Sequence, residues 1–209
     1  MSLSRWMTTL GLALGLAVAT PTAEATVLVP LTVDQMTDAS DLVVRGTITE
    51  VWSEKDDRGY IWTHAQVEIA QTWKGETLSH VVISQPGGYL GSEFSIVRSV
   101  ARFSVGEETV LFLETTADLL QPVGMFQGKY TVRMDPDTAT EMLVRYAPPP
   151  ELAYDHRFIP HPEASERTHV ADFRHDVDAH LAAGWDGLPI PGADPDKLRS
   201  INHLQIGVK

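Results

Sequence analysis

The sequence predicts a mainly β protein, a small closed antiparallel barrel followed by one amphipathic α-helix. Six or seven short segments rich in Val, Ile and Thr lie close together between Asp41 and Tyr146. None of the segments between them has the 3.6-residue period of a helix, whereas residues 162–184 do have it. Closely spaced strands without intervening helices are typical of antiparallel sandwiches and barrels.

The first predicted strand, DLVVRGTITEVW, carries apolar side chains at alternate positions. Its predicted apolar face comprises Leu42, Val44, Gly46 and Ile48. Its opposite face comprises Arg45, Thr47 and Thr49. A glycine inside a strand often marks a bend or a bulge. Gly46 therefore favours a long bent strand, which suits a closed barrel better than a flat sandwich.

The second predicted strand, YIWTHAQVEIAQTW, follows the polar hairpin segment SEKDDRG and also alternates. One face comprises Ile61, Ala65, Val67 and Ile69. The other face comprises Trp62, His64, Gln66 and Glu68. A turn at Lys74-Gly75 ends this strand, so the two strands predict a long antiparallel pair with one apolar face.

The remaining strands are shorter. HVVIS is a strand that the loop PGGYLG closes, and SIVRSVARF is either another strand or a bent connection. TVLFLE has the continuous apolar pattern of a buried strand. KYTVRM and EMLVRY flank DPDTAT, which has the composition of a hairpin turn.

A second region follows the barrel of residues 26–146. Residues 147–161 begin with APPPE and predict a proline-rich linker, because proline cannot donate to a strand ladder. Residues 162–184 predict a helix that opens at Pro162 and ends at Gly184. Its apolar stripe consists of Val170, Phe173, Val177 and Leu181. Such a helix must dock on the barrel or on a partner, and residues 185–209 predict an irregular tail with no evident anchor.

The first 25 residues have the layout of a secretory signal peptide. Arg5 precedes an apolar stretch, and Ala23-Glu24-Ala25 offers the small residues that signal peptidase reads. We therefore expect export by a Sec-type route, cleavage near Ala25, and a secreted or periplasmic product. No later apolar run is long enough to span a membrane.

Charge and cysteine content exclude several classes of function. The formal net charge is −12, and a strongly negative surface repels phosphate backbones, so nucleic acid is not an expected partner. The chain has no cysteine, which excludes disulfides, thiol catalysis and thiolate metal sites. The sequence also lacks G-x-S-x-G, H-E-x-x-H, phosphate-loop and dinucleotide motifs, so we expect no catalytic residue and no cofactor.

The stretch HVADFRHDVDAH is the strongest candidate for metal chemistry. On a helix, one stripe beside the apolar one comprises His169, Asp172, Asp176 and His180. The histidine spacings miss the three- or four-residue step that places two imidazoles on one metal. The favoured interpretation is a solvated flank with local Asp–His pairs, and a metal site remains the alternative. His156 and His161 lie upstream and are possible further ligands.

One loop and four aromatic residues are candidates for binding a partner. The loop consists of Gln85, Pro86, Gly87, Gly88, Tyr89, Leu90 and Gly91. A strand and not a helix is predicted after it, which argues against a phosphate cradle. The aromatic residues Trp62, Trp73, Tyr89 and Phe94 form either an exposed patch near one barrel end or half-buried parts of the core.

Two stretches of the sequence resemble a known family. ASDLVVRGTITEV and GYIWTHAQVEIAQTWKGE are similar to the barrel of the tissue inhibitors of metalloproteinases and related netrin-type modules, and to exported bacterial proteins of unassigned role. The positions that match are Ala39, Asp41, Val43, Val44, Arg45, Gly46, Trp73, Lys74 and Gly75. The later FSVGEETVLFLE resembles a further strand of that barrel, with Gly106 before the buried run. The resemblance covers roughly residues 38–114 and implies an OB-like barrel that binds proteins outside the cell.

The resemblance does not carry protease inhibition over to this chain. In that family, an N-terminal cysteine grips the zinc of the protease and disulfides hold the surrounding ridge, but this chain has no cysteine. Our leading hypothesis is an exported, non-catalytic protein-binding module with an unknown extracellular or periplasmic partner. The alternative is a metal-binding protein or metal-dependent enzyme that uses the His/Asp stripe, and a weaker alternative is a protease inhibitor.

Overall fold

The computed structural model describes residues 29–97, 99–147 and 163–191. The predicted signal peptide, nearly all of the predicted linker, and residues 192–209 of the predicted tail lie outside these ranges. In chain order the elements are α1 (Val33–Ala39), β1 (Leu42–Lys55), β2 (Ile61–Lys74), β3 (His80–Pro86), β4 (Gly88–Leu90), β5 (Glu93–Ser95), β6 (Glu108–Thr116), β7 (Leu119–Pro122), a 3-10 turn (Met125–Gly128), β8 (Lys129–Met134), β9 (Glu141–Ala147), β10 (Glu163–His169) and α2 (Val170–Ala183). Neither described helix is long and apolar enough to cross a membrane.

The main sheet is antiparallel and curls into a half-barrel, so the predicted mainly β class with a C-terminal helix is confirmed. Its strand order is β10-β9-β8-β6-β1-β2-β3, with β7 paired to β6. The curl brings β3 against β7, although these two strands pair with different neighbours. β4 and β5 form a separate two-stranded sheet.

The sheet buries side chains on both faces. The inner face, enclosed by the curl, packs the residues Leu42, Val44, Ile48, Ala65, Val67, Val81, Ile83, Leu111 and Leu113 together. The outer face carries a second core beneath the helices, which includes Val43, Phe112, Tyr130 and Leu143. The alternation predicted for β1 and β2 is therefore confirmed, and the outer face is also buried along part of its length.

Gly46 allows β1 and β2 to approach closely. The β1–β2 register shifts between Arg45 and Gly46 and again between Ile48 and Glu50. A Cβ atom on Gly46 would lie 2.3 Å from the carbonyl oxygen of Glu68 on the neighbouring strand. The irregularity predicted at Gly46 is therefore confirmed as a shift of register, and only a residue without a side chain permits this approach.

Helix α1 was not predicted from the sequence. Thr32 and Gln35 form a capping box, in which each side chain accepts from the other residue's backbone N–H. Met36 is fully buried on the outer face. At the other end of the helix, the Nζ of Lys74 donates to the carbonyl oxygens of Thr37 and Ser40, each at 2.6 Å. Lys74 therefore satisfies carbonyls that the short helix leaves unpaired.

The predicted start of the C-terminal helix at Pro162 is wrong. Residues 163–169 form strand β10, which pairs with β9, and α2 begins only at Val170. The backbone of β9 would otherwise lack a ladder partner on that side, and the segment before Val170 has no apolar stripe to hold a helix on the sheet. The predicted helix end at Gly184 is confirmed.

Helix α2 docks on the outer face through the predicted stripe. Phe173 lies between aromatic rings, with centroid distances of 4.8 Å to Tyr130, 5.9 Å to Phe112 and 6.4 Å to Trp73. Val170 and Val177 are buried beside it. Ile190 is also buried in this core, so the first part of the predicted tail does have an anchor.

An ion-pair network crosses the outer face beside α2. Arg45 of β1 donates to both carboxylate oxygens of Glu141 on β9, at 2.9 and 2.6 Å, and to Glu108 of β6 at 2.7 Å. The hydrogen bonds from Arg45 lower the pKa of the Glu141 carboxyl below its ordinary value of 4.5. The network therefore links strands that are not neighbours in the sheet.

We expect Gly46→Ala to lower the free energy of unfolding by about 1–3 kcal/mol, because the new methyl group must push into the backbone of β2. Gly59→Ala is the control: Gly59 has a φ of 83° and nothing within 4 Å of its Cβ position. That substitution should cost only the left-handed strain of about 1 kcal/mol. Urea unfolding of both variants tests this, and a smaller loss at Gly46 than at Gly59 would contradict it.

We expect Glu141→Gln to lower the free energy of unfolding at pH 7 by about 1 kcal/mol or less, since the pair is partly exposed. The folded pKa of Glu141 is lowered, so its contribution is present above pH 4.5 and is lost as the pH falls through the folded value. The difference from the wild type should shrink over that range in urea titrations. Glu68→Gln, at an exposed carboxylate of β2, is the matched control and should change the free energy of unfolding at pH 7 by about 0.5 kcal/mol or less.

Candidate functional site

The segment predicted as the loop PGGYLG is in part a short β-hairpin. β4 and β5 pair with Tyr89 opposite Phe94 and Leu90 opposite Glu93. Gly91 opens the two-residue turn with a φ of 63°, a conformation that favours glycine. The loop prediction is wrong for these residues, because β4 pairs with the segment EFS, which lies beyond PGGYLG in the chain.

The base of the β4–β5 hairpin is fixed to the ends of β1 and β2. The N–H of Gly87 donates to the carbonyl of Ile61 at 2.8 Å, and the hydroxyl of Thr63 donates to the carbonyl of Gly87 at 2.7 Å. A Cβ on Gly88 would lie 2.3 Å from that hydroxyl oxygen. Lys55 and Glu93 form an ion pair at 2.6 Å. These contacts hold the hairpin in one orientation.

The hairpin exposes apolar side chains. The exposed fraction is 56% for Tyr89 and 52% for Phe94, and their ring centroids lie 6.0 Å apart. Leu90 and Ile96 are also exposed. We call Tyr89, Leu90, Phe94 and Ile96 the hairpin surface. None of the four belongs to either core, so folding does not explain why they are apolar.

The first half of the predicted binding loop has a structural role instead. Gln85 is buried and its Nε2 donates to the carbonyl of Ala101 at 2.5 Å. Pro86 ends β3 opposite Trp62, and Gly87 is buried. Strand β3 therefore extends through Gln85 and Pro86, and Gly87 follows it as a buried residue, while the binding role predicted for this segment stays a prediction. Gly88 is half-buried, and the exposed part of the loop consists of Tyr89, Leu90 and Gly91.

The four predicted aromatic residues separate in the structure. Tyr89 and Phe94 lie together on the hairpin surface. Trp73 is buried under α2, so the core interpretation is confirmed for this residue. Trp62 is half-buried, and its Nε1 donates to a carboxylate oxygen of Asp56 at 3.3 Å. The alternation of the sequence could not distinguish them, because Trp73 is covered by a helix that is remote in the chain.

The His/Asp stripe does not converge on one point. The Nε2 of His180 lies 2.9 Å from Asp38 of α1, and its Nδ1 lies 3.6 Å from Asp34. His169 precedes α2 and contacts Thr140, whereas Asp172 and Asp176 are exposed. Within the described ranges no group of three side chains is arranged to hold a metal ion. His156 and His161 lie outside those ranges.

His180 instead connects the two helices. The carboxylate of Asp38 is partly withdrawn from water, and this burial raises its pKa, while the hydrogen bond from His180 opposes the rise. A partly buried carboxylate of this kind is stabilised by a directed donor. The sequence could not reveal the pair, because the two residues are 142 positions apart.

The stretches ASDLVVRGTITEV and GYIWTHAQVEIAQTWKGE meet at the start of β1. Lys74 donates to the carbonyl of Ser40, and a Cβ on Gly75 would lie 2.4 Å from the carbonyl oxygen of Asp41. These residues serve the fold and not the hairpin surface. A comparison of the chain with models of protein families and with curated proteins found no match.

We expect His180→Ala to lower the free energy of unfolding by about 1–3 kcal/mol, because it leaves Asp38 without its donor. His175 lies on the same helix and is exposed, so His175→Ala should change the free energy of unfolding by about 0.5 kcal/mol or less. Urea unfolding measures both. Metal analysis of protein purified without a histidine tag separates docking from metal binding: stoichiometric zinc that is lost in the His169→Ala/His180→Ala double variant would contradict the docking role.

Proposed function

We propose that this protein is an exported, non-catalytic protein-binding module and that the hairpin surface contacts its partner. The single observation that carries the proposal is the pair Tyr89 and Phe94, each more than half exposed on a hairpin whose base is held by hydrogen bonds. Exposed aromatic residues on a rigid support lose little conformational entropy on binding. The partner is an extracellular or periplasmic protein with an apolar groove that accepts two rings.

The same proposal includes the type of β-barrel and the export of the protein from the cytoplasm. We take the half-barrel to be an OB-like barrel of the netrin type, which the order and spacing of the motif residues support. The signal-peptide layout of residues 1–25 supports export. The net charge of −12 keeps an exported protein soluble, and it disfavours a nucleic acid partner.

The metal-dependent alternative has less support than the binding module. It requires the His/Asp stripe to act together, but both ring nitrogens of His180 are directed towards carboxylates of α1, those of Asp38 and Asp34. Protease inhibition in a loose sense is one form that protein binding could take. A panel of extracellular proteases would identify it, since an inhibitor that uses the hairpin surface should lose potency with the variants below.

We expect the double variant Tyr89→Ser/Phe94→Ser to weaken partner binding about tenfold or more, because central aromatic contacts dominate protein interfaces. The measurement is cross-linked capture from culture fluid or periplasm, followed by titration of the captured protein against both forms. Since both side chains are exposed, the melting temperature should be unchanged.

Met134→Ser is the matched control, because Met134 is 61% exposed on β8, which β6, β1 and β2 separate from β3. It should bind the partner like the wild type. A partner that the double variant captures as well as the wild type would refute the role of the hairpin. Failure to capture any partner that depends on Tyr89 and Phe94 would count against the whole proposal.

A further inference from the structure

A second feature lies away from the hairpin, where strand β8 faces the chain segment of residues 99–107. The alternate residues Lys129, Thr131 and Arg133 of β8 line one wall of a cleft of about 370 Å³. The lining also includes Arg102 and Glu107 of the segment that precedes β6. This volume is at the lower end of the range for small-molecule sites.

The floor of the cleft holds a buried ion pair. The Nζ of Lys129 lies 2.7 Å from an oxygen of Glu107, and both side chains are at most 10% exposed. The hydroxyl of Thr131 donates to the same oxygen of Glu107, and Lys129 also contacts that hydroxyl at 3.2 Å. The N–H of Ser104 donates to the other oxygen at 3.3 Å, so three donors hold the carboxylate of Glu107 in one fixed position.

The cleft has an excess of positive charge in a protein that is otherwise acidic. Its lining contains three cationic side chains, Arg102, Lys129 and Arg133, and one carboxylate, Glu107. Burial lowers the pKa of Lys129, the ion pair with Glu107 opposes this, and the charge of Arg133 lowers the pKa further. An anion in the cleft would reduce the repulsion between these cations.

The rest of the lining is largely apolar and narrows the class of anion. Phe126 and Tyr146 line the cleft together with Val100 and Ala101. A multiply charged phosphate would lose its hydration beside these apolar groups, and the carboxylate of Glu107 would repel it. Both effects disfavour phosphate as the ligand. A single carboxylate matches the planar guanidinium groups of Arg102 and Arg133, and an apolar body matches the rings.

We propose that this cleft binds a small organic monocarboxylate, with its carboxylate towards Arg102 and Arg133 and its apolar body against Phe126 and Tyr146. The buried pair of Lys129 and Glu107 forms the polar floor and keeps the cleft open. This site is independent of the hairpin surface, because no residue belongs to both.

The test uses octanoate and benzoate as probes, titrated into isotope-labelled protein and followed by amide chemical shifts. We expect saturable binding, with the shifts concentrated in residues 99–107 and 129–133. Octanamide has the same body without the charge and should bind about tenfold more weakly. Inorganic phosphate should also bind more weakly than octanoate.

The double variant Arg102→Gln/Arg133→Gln should reduce octanoate affinity about tenfold or more. Both arginines are exposed, so the fold should be retained, which the amide spectrum verifies. Arg58→Gln is the matched control, because Arg58 is an exposed arginine in the β1–β2 turn and should leave affinity unchanged.

Four outcomes would overturn the proposal. The first three are no saturable binding of either carboxylate, equal octanoate affinity in the double variant and the wild type, and tighter binding of phosphate than of octanoate. The fourth is equal affinity for octanamide and octanoate, which would show that the charge has no role. The Tyr89→Ser/Phe94→Ser variant should bind octanoate like the wild type, so failure of one proposal does not imply failure of the other.

Discussion

The close approach of β1 and β2 at Gly46 is the constraint on which the rest of the structure depends. The carbonyl of Glu68 occupies the space that a side chain at Gly46 would need. The register of the two strands shifts beside this contact, and the curled sheet places β3 against β7 and encloses the inner core without the helices. The outer face is then free to receive α1 and α2 as a second layer, so one backbone feature separates the two cores.

The chain has no disulfide, and specific polar contacts join elements that are remote in sequence. Lys74 bonds the end of α1, His180 joins α2 to α1, and Arg45 bridges to Glu141. Each contact is partly sheltered from water, where a directed hydrogen bond costs more to lose than on the surface. Such contacts add to the stability that apolar burial provides. They also determine how the two helices dock on the sheet.

The two proposed sites use different physical features of the same sheet. The hairpin surface projects from the end of β3, and its exposed apolar groups are suited to a flat or grooved protein partner. The cleft beside β8 is recessed, and its arginines and rings are suited to a small amphiphilic anion. Occupation of the cleft contacts neither Tyr89 nor Phe94, so the structure provides no direct route by which one site would control the other.

Local pattern was sufficient to predict the longer strands of the main sheet, because the two-residue period of Leu42, Val44 and Ile48 reflects which face is buried wherever the strand goes. It also located the irregularity at Gly46 and the apolar stripe of α2. The capping box of Thr32 and Gln35 was a readable signal for α1, but a seven-residue helix has too short a stripe to stand out.

Contacts between segments that are distant in the chain determined the features that the sequence pattern did not predict. The burial of Trp73, the pairing of β10 with β9, and the His180–Asp38 contact each depend on segments that are distant in the chain. The cleft likewise requires Glu107 and Lys129, 22 residues apart, to meet where β6 pairs with β8. A sequence pattern records which side chains avoid water, but only the three-dimensional arrangement of the strands determines which groups meet.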